Sequence, residues 1–246
     1  MPQHIGAGYG SEYHLMRYMA RYRNELNRLI GAEIGGTVTG WLDYRHGKPE
    51  EYYPTDPKRV RLPDREWEGM GFLELSAQAP LMAAWRDFWP QSGRQQNWDA
   101  VGKASIGGID AWLLVEAKAH IKELQSNSGA TNPCSIATIQ RAFSATRAAF
   151  GVKEHGDWMK GYYQYANRLA ALYFLHEQGV PARLVLLYFL GDKNQQLASN
   201  DCCPTDEEGW KAALATQDEH LGLADLDIRS LGVHKVFVPV APGGSK

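Results

Sequence analysis

Runs of large apolar residues predict where the strands of this chain lie. Two such runs, Ala111 to Ala119 and Arg183 to Leu190, are long enough and apolar enough to predict buried strands. Thr37 to Tyr44 predicts a short strand near the start, and Val233 to Val240 predicts a last one. Helical patterns separate these segments, so the chain predicts a mixed sheet flanked by helices.

Apolar residues at three- and four-residue steps predict the helices. Leu15, Met19 and Leu26 belong to such a series, which predicts one helix from Ser11 to about Gly31. Thr205 to Glu208 fits a capping box that opens a helix running towards His220. Flanking proline and glycine residues delimit the other predicted helices, which are Pro80 to Trp89, Ser135 to Phe150 and Tyr162 to Gln178.

A hairpin is predicted around the first of the two buried strands. Asn97 to Lys103, "NWDAVGK", is short and extended, and Gly107 and Gly108 supply a turn before the strand begins. This hairpin places Asp99 on its first arm and Glu116 on its second.

The predicted elements form one domain, 1–246, of the α/β class with mixed α+β character. A core spans about 97–192, an N-terminal helix and an irregular insertion occupy 1–90, and a C-terminal helix and strand occupy 205–240. The segment from His46 to Gly71 is rich in proline, glycine and charge, and we expect it to be irregular with a hairpin inside it.

Composition excludes some classes of protein but does not change the predicted fold. Of the 246 residues, 44% are hydrophobic and 22% are charged, which excludes a chain that is disordered throughout. The net charge of −2 argues against a tail-driven, strongly basic nucleic-acid binder. The start of the chain lacks a signal-peptide pattern, no apolar run reaches about 18 residues, and three cysteines do not form a disulfide framework. We therefore expect a cytoplasmic protein without a membrane partner.

The candidate chemistry lies at the end of the first buried strand. Side chains alternate along a strand, so Glu116 and Lys118 share one face with Trp112 and Leu114. Buried charges are costly unless they are paired or bound to metal. A plain Glu116–Lys118 ion pair would satisfy that requirement, and it is the simplest alternative to a functional site.

Asp99 extends this pair into a possible metal site. Two adjacent carboxylates repel each other unless a cation lies between them, and oxygen ligands suit Mg²⁺ or Mn²⁺. The carbonyl of Ala117 would be a third oxygen ligand, and Lys118 would orient a water molecule or a phosphate. Asp110 competes with Asp99 for this role, but its position in the turn makes it the weaker candidate.

"NWDAVG" followed by "WLLVEAKAH" resembles the Asp and Glu-x-Lys signature of the PD-(D/E)XK nuclease superfamily. The resemblance places Asp99, Glu116 and Lys118 at the motif positions, with Trp98 where the family name has proline. It implies a restriction-endonuclease-like core and a Mg²⁺- or Mn²⁺-dependent nuclease. The implied partner is nucleic acid, with DNA favoured over RNA. The resemblance leaves open whether the protein forms a homodimer.

The segment from Tyr162 to Asp192 is similar in layout to the helix–strand unit of RecB-like members of that superfamily. Those members carry a glutamine that reaches the active site, and Gln164 takes its place here. Asn167 stands where they usually have a tyrosine. Members also often carry a glutamate on a helix before the sheet, and the residues that could supply it are Glu12, Glu25 and Glu74.

Two other functions remain open on the sequence alone. The first is a nucleic-acid- or protein-binding module on the same fold without catalysis. The second is a small-molecule enzyme or interaction domain in which the Glu116–Lys118 pair is structural. Gln164 and Arg168 lie one helical turn apart and would face a phosphate or solvent. His120 and the aromatic stretch from Ala84 to Pro90 are further candidates, for substrate contact and base stacking respectively.

Overall fold

The computed structural model describes residues 8–42, 45–46, 64–93, 95–154, 156–193 and 203–241. Its six α-helices are α1 (Ser11–Arg21), α2 (Arg23–Ile34), α3 (Leu81–Phe88), α4 (Pro133–Phe150), α5 (Tyr163–Glu177) and α6 (Glu207–Leu221). Its strands are β1 (Thr37–Trp41), β2 (Arg45–His46), β3 (Asp64–Arg65), β4 (Trp67–Glu68), β5 (Asn97–Trp98), β6 (Ala100–Ile106), β7 (Ile109–Lys118), β8 (Ala182–Leu190) and β9 (Val233–Pro239).

Five strands form the central sheet in the order β1-β6-β7-β8-β9. The pairs β1–β6 and β6–β7 are antiparallel, whereas β7–β8 and β8–β9 are parallel. Parallel neighbours need crossover connections: α4 and α5 lie between β7 and β8, and α6 lies between β8 and β9. The predicted α/β class, with a mixed sheet flanked by helices, is confirmed.

The predicted hairpin is the pair β6–β7. Gly107 and Gly108 form its two-residue loop, with φ angles of 58° and 81°. Positive φ at both loop positions suits glycine and matches the twist of a tight hairpin. The register pairs Ile106 with Ile109 at the turn and Ala100 with Val115 at the far end.

The two faces of the sheet belong to two separate apolar clusters. Leu113, Val115 and Ala117 of β7 face α1 and α2, and they share a cluster with residues such as Leu26 and Ile30. The alternate residues of β7, including Leu114, face α3 to α6. Both faces of β7 are therefore covered by helices, which explains why its sequence is nearly continuously apolar.

The prediction of one N-terminal helix was wrong, because the segment forms two helices. The chain leaves helical geometry at Tyr22, where φ is −127° and ψ is 30°. Leu15 of α1 and Leu26 of α2 nevertheless belong to the same cluster against the sheet. The apolar period continues across the break because both helices cover one surface.

The irregular insertion is described only in part. Arg45–His46 pairs with Asp64–Arg65 as the base of a two-stranded ribbon, and residues 47–63 lie outside the described part of the chain. Trp67 pairs with Trp98, so the chain after this ribbon returns to the strand that precedes Asp99.

The start of α6 differs from its prediction. Asp206, not Thr205, is the N-cap residue, and its carboxylate accepts a hydrogen bond from the backbone N–H of Gly209 at 2.9 Å. Aspartate and threonine both favour this position, and the chain places the aspartate there. Among the described residues, no helix is both long enough and apolar enough to cross a bilayer.

Candidate active site

Strand β7 carries Glu116 and Lys118 on the face that α5 covers. Glu116 is 4% exposed, and its Oε1 accepts a hydrogen bond from the Lys118 ammonium. The predicted ion pair is therefore present, at the carboxyl end of a strand buried between β6 and β8. Whether the site is more than an ion pair depends on what surrounds it.

Asp99 lies in the bend between β5 and β6, beside the end of β7 that carries Glu116. The regular hairpin pairing ends at Ala100, which is paired with Val115. The backbone N–H of Asp99 donates to the carbonyl of Val115 at 3.1 Å, and Ala117 donates its N–H to Asp99 Oδ2 at 2.6 Å. These two bonds hold the Asp99 carboxyl against the backbone at the Glu116–Ala117 end of β7.

Gln164 joins the same point from the first turn of α5. Its Oε1 accepts a hydrogen bond from Lys118 Nζ at 3.0 Å, and its backbone N–H donates to Ser126 Oγ at 2.8 Å. The structure thus brings Asp99, Glu116, Lys118 and Gln164 together. Their spatial grouping was predicted from the sequence, and their catalytic roles stay predictions.

Arg168 is the most constrained residue of the site. It lies one turn after Gln164, is 3% exposed, and donates from Nε to Glu116 Oε2 at 2.8 Å, with Nη2 in an ion pair with the same oxygen at 2.7 Å. Nη1 donates to Asn167 Oδ1 at 2.7 Å, and Nη2 also donates to the carbonyl of Asn97. The guanidinium carbon lies 4.8 Å from the centre of the Trp98 ring. These contacts exclude the solvated helix end considered from the sequence.

Replacing Arg168 with methionine should destabilise the protein by about 3 kcal/mol, because a buried Glu116 carboxylate would lose one of its two cations. Chemical denaturation of the variant measures this loss. Arg141→Met is the matched control, since Arg141 is exposed and, among the described residues, its hydrogen bond goes to the carbonyl of Asp87. Equal stability losses in both variants would contradict a structural role for the Glu116–Arg168 pair.

The two carboxyls of the site have pKa values displaced in opposite directions. Burial, followed by the charge of Glu116, raises the pKa of Asp99 to about 8. Burial also acts to raise the pKa of Glu116, but the charges of Arg168 and Lys118 outweigh it and hold that pKa below its usual range. At neutral pH and without a bound cation, Glu116 is ionised and Asp99 is mostly protonated.

A cleft of about 780 Å³ opens beside this group. Asp99, Gln164 and Arg168 line it, together with Glu66. Its volume lies within the range of pockets that hold small ligands. Asp99 and Gln164 of the predicted site therefore border a space that a substrate can enter, whereas Glu116 and Lys118 line a separate small pocket of about 20 Å³ that Gln164 also borders.

Glu66 is the site residue that the sequence did not predict. It lies between β3 and β4, where its carboxylate accepts a hydrogen bond from the Asn97 side chain. Burial and the charge of Glu116 raise the pKa of Glu66. The glutamates proposed from the sequence do not line the cleft: Glu12 and Glu74 are exposed, and Glu25 pairs with Arg28 at 2.7 Å.

Of the remaining candidates, Trp89 and Pro90 line the cleft, whereas His120, Asp110 and Trp85 do not. His120 is paired with Glu123 at 2.9 Å, and Asp110 is exposed near the hairpin turn, paired in register with Ser105. Trp85 and Trp89 are buried, stacked 6.0 Å apart, so they pack the core and do not form an open platform for bases.

Comparisons with known proteins add no assignment. Neither the protein-family models, nor the curated protein sequences, nor the solved structures include a match to this chain. The function has to be argued from the geometry of the site.

Proposed function

We propose that this protein is a metal-dependent nuclease that hydrolyses phosphodiester bonds in nucleic acid, with DNA favoured over RNA as the substrate. One observation carries the proposal: Asp99 just before β6, Glu116 and Lys118 of β7 and Gln164 of α5 come together, and Asp99 and Gln164 line a cleft of substrate size. The sequence motif and the fold position of these residues support the same function. A purely structural Glu116–Lys118 ion pair would not require Asp99, Gln164 and the cleft to lie next to it.

The donor set of the site fits a divalent cation. Burial and then the charge of the nearby Glu116 raise the pKa of Asp99, and a cation bound by both carboxylates would offset both effects. Mg²⁺ and Mn²⁺ prefer such oxygen ligands, and the carbonyl of Ala117 would complete the predicted set. No three His, Cys, Asp or Glu side chains of the described residues are grouped to hold an ion, so this site would rely on two carboxylates. A bound cation would supply Lewis-acid activation of water and phosphate.

Lys118 would position the attacking water or the scissile phosphate. An ammonium has three N–H donors, and Lys118 uses two of them on Glu116 and Gln164. Within the described part of the chain the third has no partner, so it would serve a substrate oxygen or a water molecule. Gln164 therefore acts on Lys118 as a positioning residue, because its Oε1 fixes the direction of the ammonium.

One observation favours a second function, a non-catalytic nucleic-acid- or protein-binding module on the same fold. Both oxygens of Glu116 already accept hydrogen bonds, one from Lys118 and the other from Arg168. A carboxylate satisfied in this way is stable without a metal ion. Binding of nucleic acid without any cleavage would support this alternative.

Incubating the purified protein with labelled single- and double-stranded DNA and RNA tests the proposal. We expect cleavage of at least one substrate in Mn²⁺ or Mg²⁺ and none in EDTA. The absence of cleavage with every substrate, or equal cleavage in EDTA, would contradict it.

Metal affinity should rise with pH, because a cation binds the ionised form of Asp99. Below its pKa of about 8, the Asp99 carboxyl must release a proton when the metal binds, so affinity should increase about tenfold per pH unit and level off above pH 8. Calorimetric titration with Mn²⁺ in buffers of different ionisation enthalpy measures both the affinity and the proton release. A pH-independent affinity would show that Asp99 is not a ligand.

A further inference from the structure

Carboxamide side chains dominate the wall of the cleft. Three described lining residues are ionisable: Glu66, Asp99 and Arg168. The carboxamides among the described lining residues are Gln95, Gln96, Asn97, Asn127, Asn132, Gln164 and Asn167. A wall of this composition offers neutral hydrogen-bonding groups in place of a basic surface.

The orientation of several of these carboxamides is fixed by partners that can only donate. Asn127 Oδ1 accepts from the backbone N–H of Gly161 at 2.9 Å. Asn132 Oδ1 accepts from the backbone N–H of Cys134 at 2.8 Å, at the N-cap of α4. Because a backbone N–H cannot accept a hydrogen bond, exchanging oxygen and nitrogen would break both contacts.

Gln164 and Asn167 are fixed in the same way. Gln164 Oε1 accepts from the Lys118 ammonium at 3.0 Å, and Asn167 Oδ1 accepts from the Arg168 guanidinium at 2.7 Å. Neither cation can accept a hydrogen bond. The NH₂ group of each carboxamide therefore points away from its internal partner.

Three of these NH₂ groups have no partner among the described residues. The side chain of Asn167 forms a hydrogen bond with the Tyr163 hydroxyl, so the NH₂ group of Asn167 already has a partner. The NH₂ groups of Asn127, Asn132 and Gln164 donate no hydrogen bond to the described part of the chain. The cleft thus presents three oriented neutral donors.

We propose that the cleft binds a single strand of nucleic acid through the side-chain nitrogens of Asn127, Asn132 and Gln164. These donors match the phosphate and base-carbonyl oxygens of nucleotides next to the scissile bond. The inference rests on the proposed nuclease function and specifies its substrate as single-stranded.

The size and charge of the cleft favour a single strand over a duplex. A volume of about 780 Å³ admits one or two nucleotides, as in small-ligand pockets of about 300–1,000 Å³. Duplex binding depends mainly on lysine and arginine side chains that neutralise phosphates and release counterions. Arg168 is the one cation among the described lining residues, and it already donates to Glu116, Asn97 and Asn167.

The test replaces the free NH₂ groups and keeps the internal hydrogen bonds. In Asn127→Asp and Asn132→Asp, one carboxylate oxygen still accepts from the backbone, and aspartate is as good an N-cap as asparagine. In both variants a carboxylate oxygen, which can only accept hydrogen bonds, replaces the outward-facing NH₂ group. Asn132→Ser also keeps the cap and removes the donor without adding charge. Asn27→Asp is the matched control, because Asn27 Oδ1 accepts from Trp41 Nε1 at 2.8 Å outside the cleft.

Fluorescence anisotropy with a short 5′-labelled oligothymidylate, in EDTA to prevent cleavage, measures the affinity. Thymine suits the probe because its carbonyl oxygens are acceptors. We expect Asn127→Asp and Asn132→Asp to bind at least about tenfold more weakly than wild type, a loss of about 1.4 kcal/mol. Asn132→Ser should lose several-fold, Asn27→Asp should bind as wild type, and a duplex of the same length should bind more weakly than the single strand.

Wild-type affinity in the cleft variants, equal weakening in Asn27→Asp, or preferential duplex binding would overturn this inference. The nuclease proposal is judged separately. Mn²⁺-dependent cleavage together with unaffected binding in the asparagine variants would keep the nuclease and reject the carboxamide contacts. Asparagine-dependent binding without cleavage would keep the contacts and reject the nuclease.

Discussion

The Asp99→Asn variant is expected to be more stable than the wild-type protein at alkaline pH, although it removes a predicted metal ligand. Asparagine can still accept the hydrogen bond from Ala117, and it removes the charge that faces Glu116. The pKa of Asp99 is about 8 in the folded protein against an ordinary value of 3.8. Between pH 3.8 and about pH 8, the folded state therefore holds a proton on Asp99 that the unfolded state has lost.

The stability that Asp99 contributes is fully present below pH 3.8 and is lost as the pH rises through about 8. Wild type and Asp99→Asn should consequently differ little near pH 4 and most above pH 8. A tenfold change in proton affinity corresponds to about 1.4 kcal/mol, and Asp99 retains some solvent contact, so we expect a difference of about 3 kcal/mol.

Denaturant unfolding in EDTA across this pH range measures the difference, and Mn²⁺ titration of the same variant should show that binding at the site is lost. Asp110→Asn is the control, because Asp110 is exposed at the hairpin turn and should change neither quantity. A destabilised Asp99→Asn protein that still binds Mn²⁺ as wild type would contradict both expectations.

Replacing Lys118 with alanine is expected to reduce phosphodiester cleavage by about 10³-fold, within the range that a positioned proton-transfer or orienting group supplies. Glu116 keeps its ion pair with Arg168 in this variant, so the site should stay folded. The loss should appear in the rate of single-turnover cleavage at saturating Mn²⁺. Binding of the oligonucleotide should change much less.

Lys122→Ala is the matched control, because Lys122 lies exposed in the short 3-10 helix Ile121–Leu124 that follows the site. It should cleave at the wild-type rate. Equal rates for Lys118→Ala and wild type would exclude Lys118 from the chemistry and leave the Glu116–Lys118 pair as a structural feature.

Local sequence signals predicted the part of the site that depends on the hairpin. Gly107 and Gly108 fix a tight turn, and the apolar alternation on both arms fixes the register. Together they bring Asp99, which directly precedes β6, to the end of β7 that carries Glu116 and Ala117. The sequence signal for the start of α5 was also local, so Gln164 could be assigned to the first turn of that helix.

Contacts that depend on packing between distant elements were not predictable in this way. Arg168 could face solvent or the site from its helical position alone, and the placement of α5 against β7 decides that it neutralises Glu116. Glu66 reaches the cleft because Trp67 pairs with Trp98, a pairing that no periodic pattern in the insertion indicates. The break at Tyr22 was hidden because the apolar period continues through it.

A Mn²⁺ soak of crystals of the wild-type protein, with anomalous diffraction data, tests most directly whether Asp99 and Glu116 share a metal ion. We expect an anomalous peak about 2.1 Å from one carboxylate oxygen of each residue, at a pH near or above the pKa of Asp99. The same soak of Asp99→Asn should show no peak at this point. Saturating Mn²⁺ without a peak between the two carboxylates of the wild-type protein, or with a peak only elsewhere, would contradict the proposed metal site and the mechanism that depends on it.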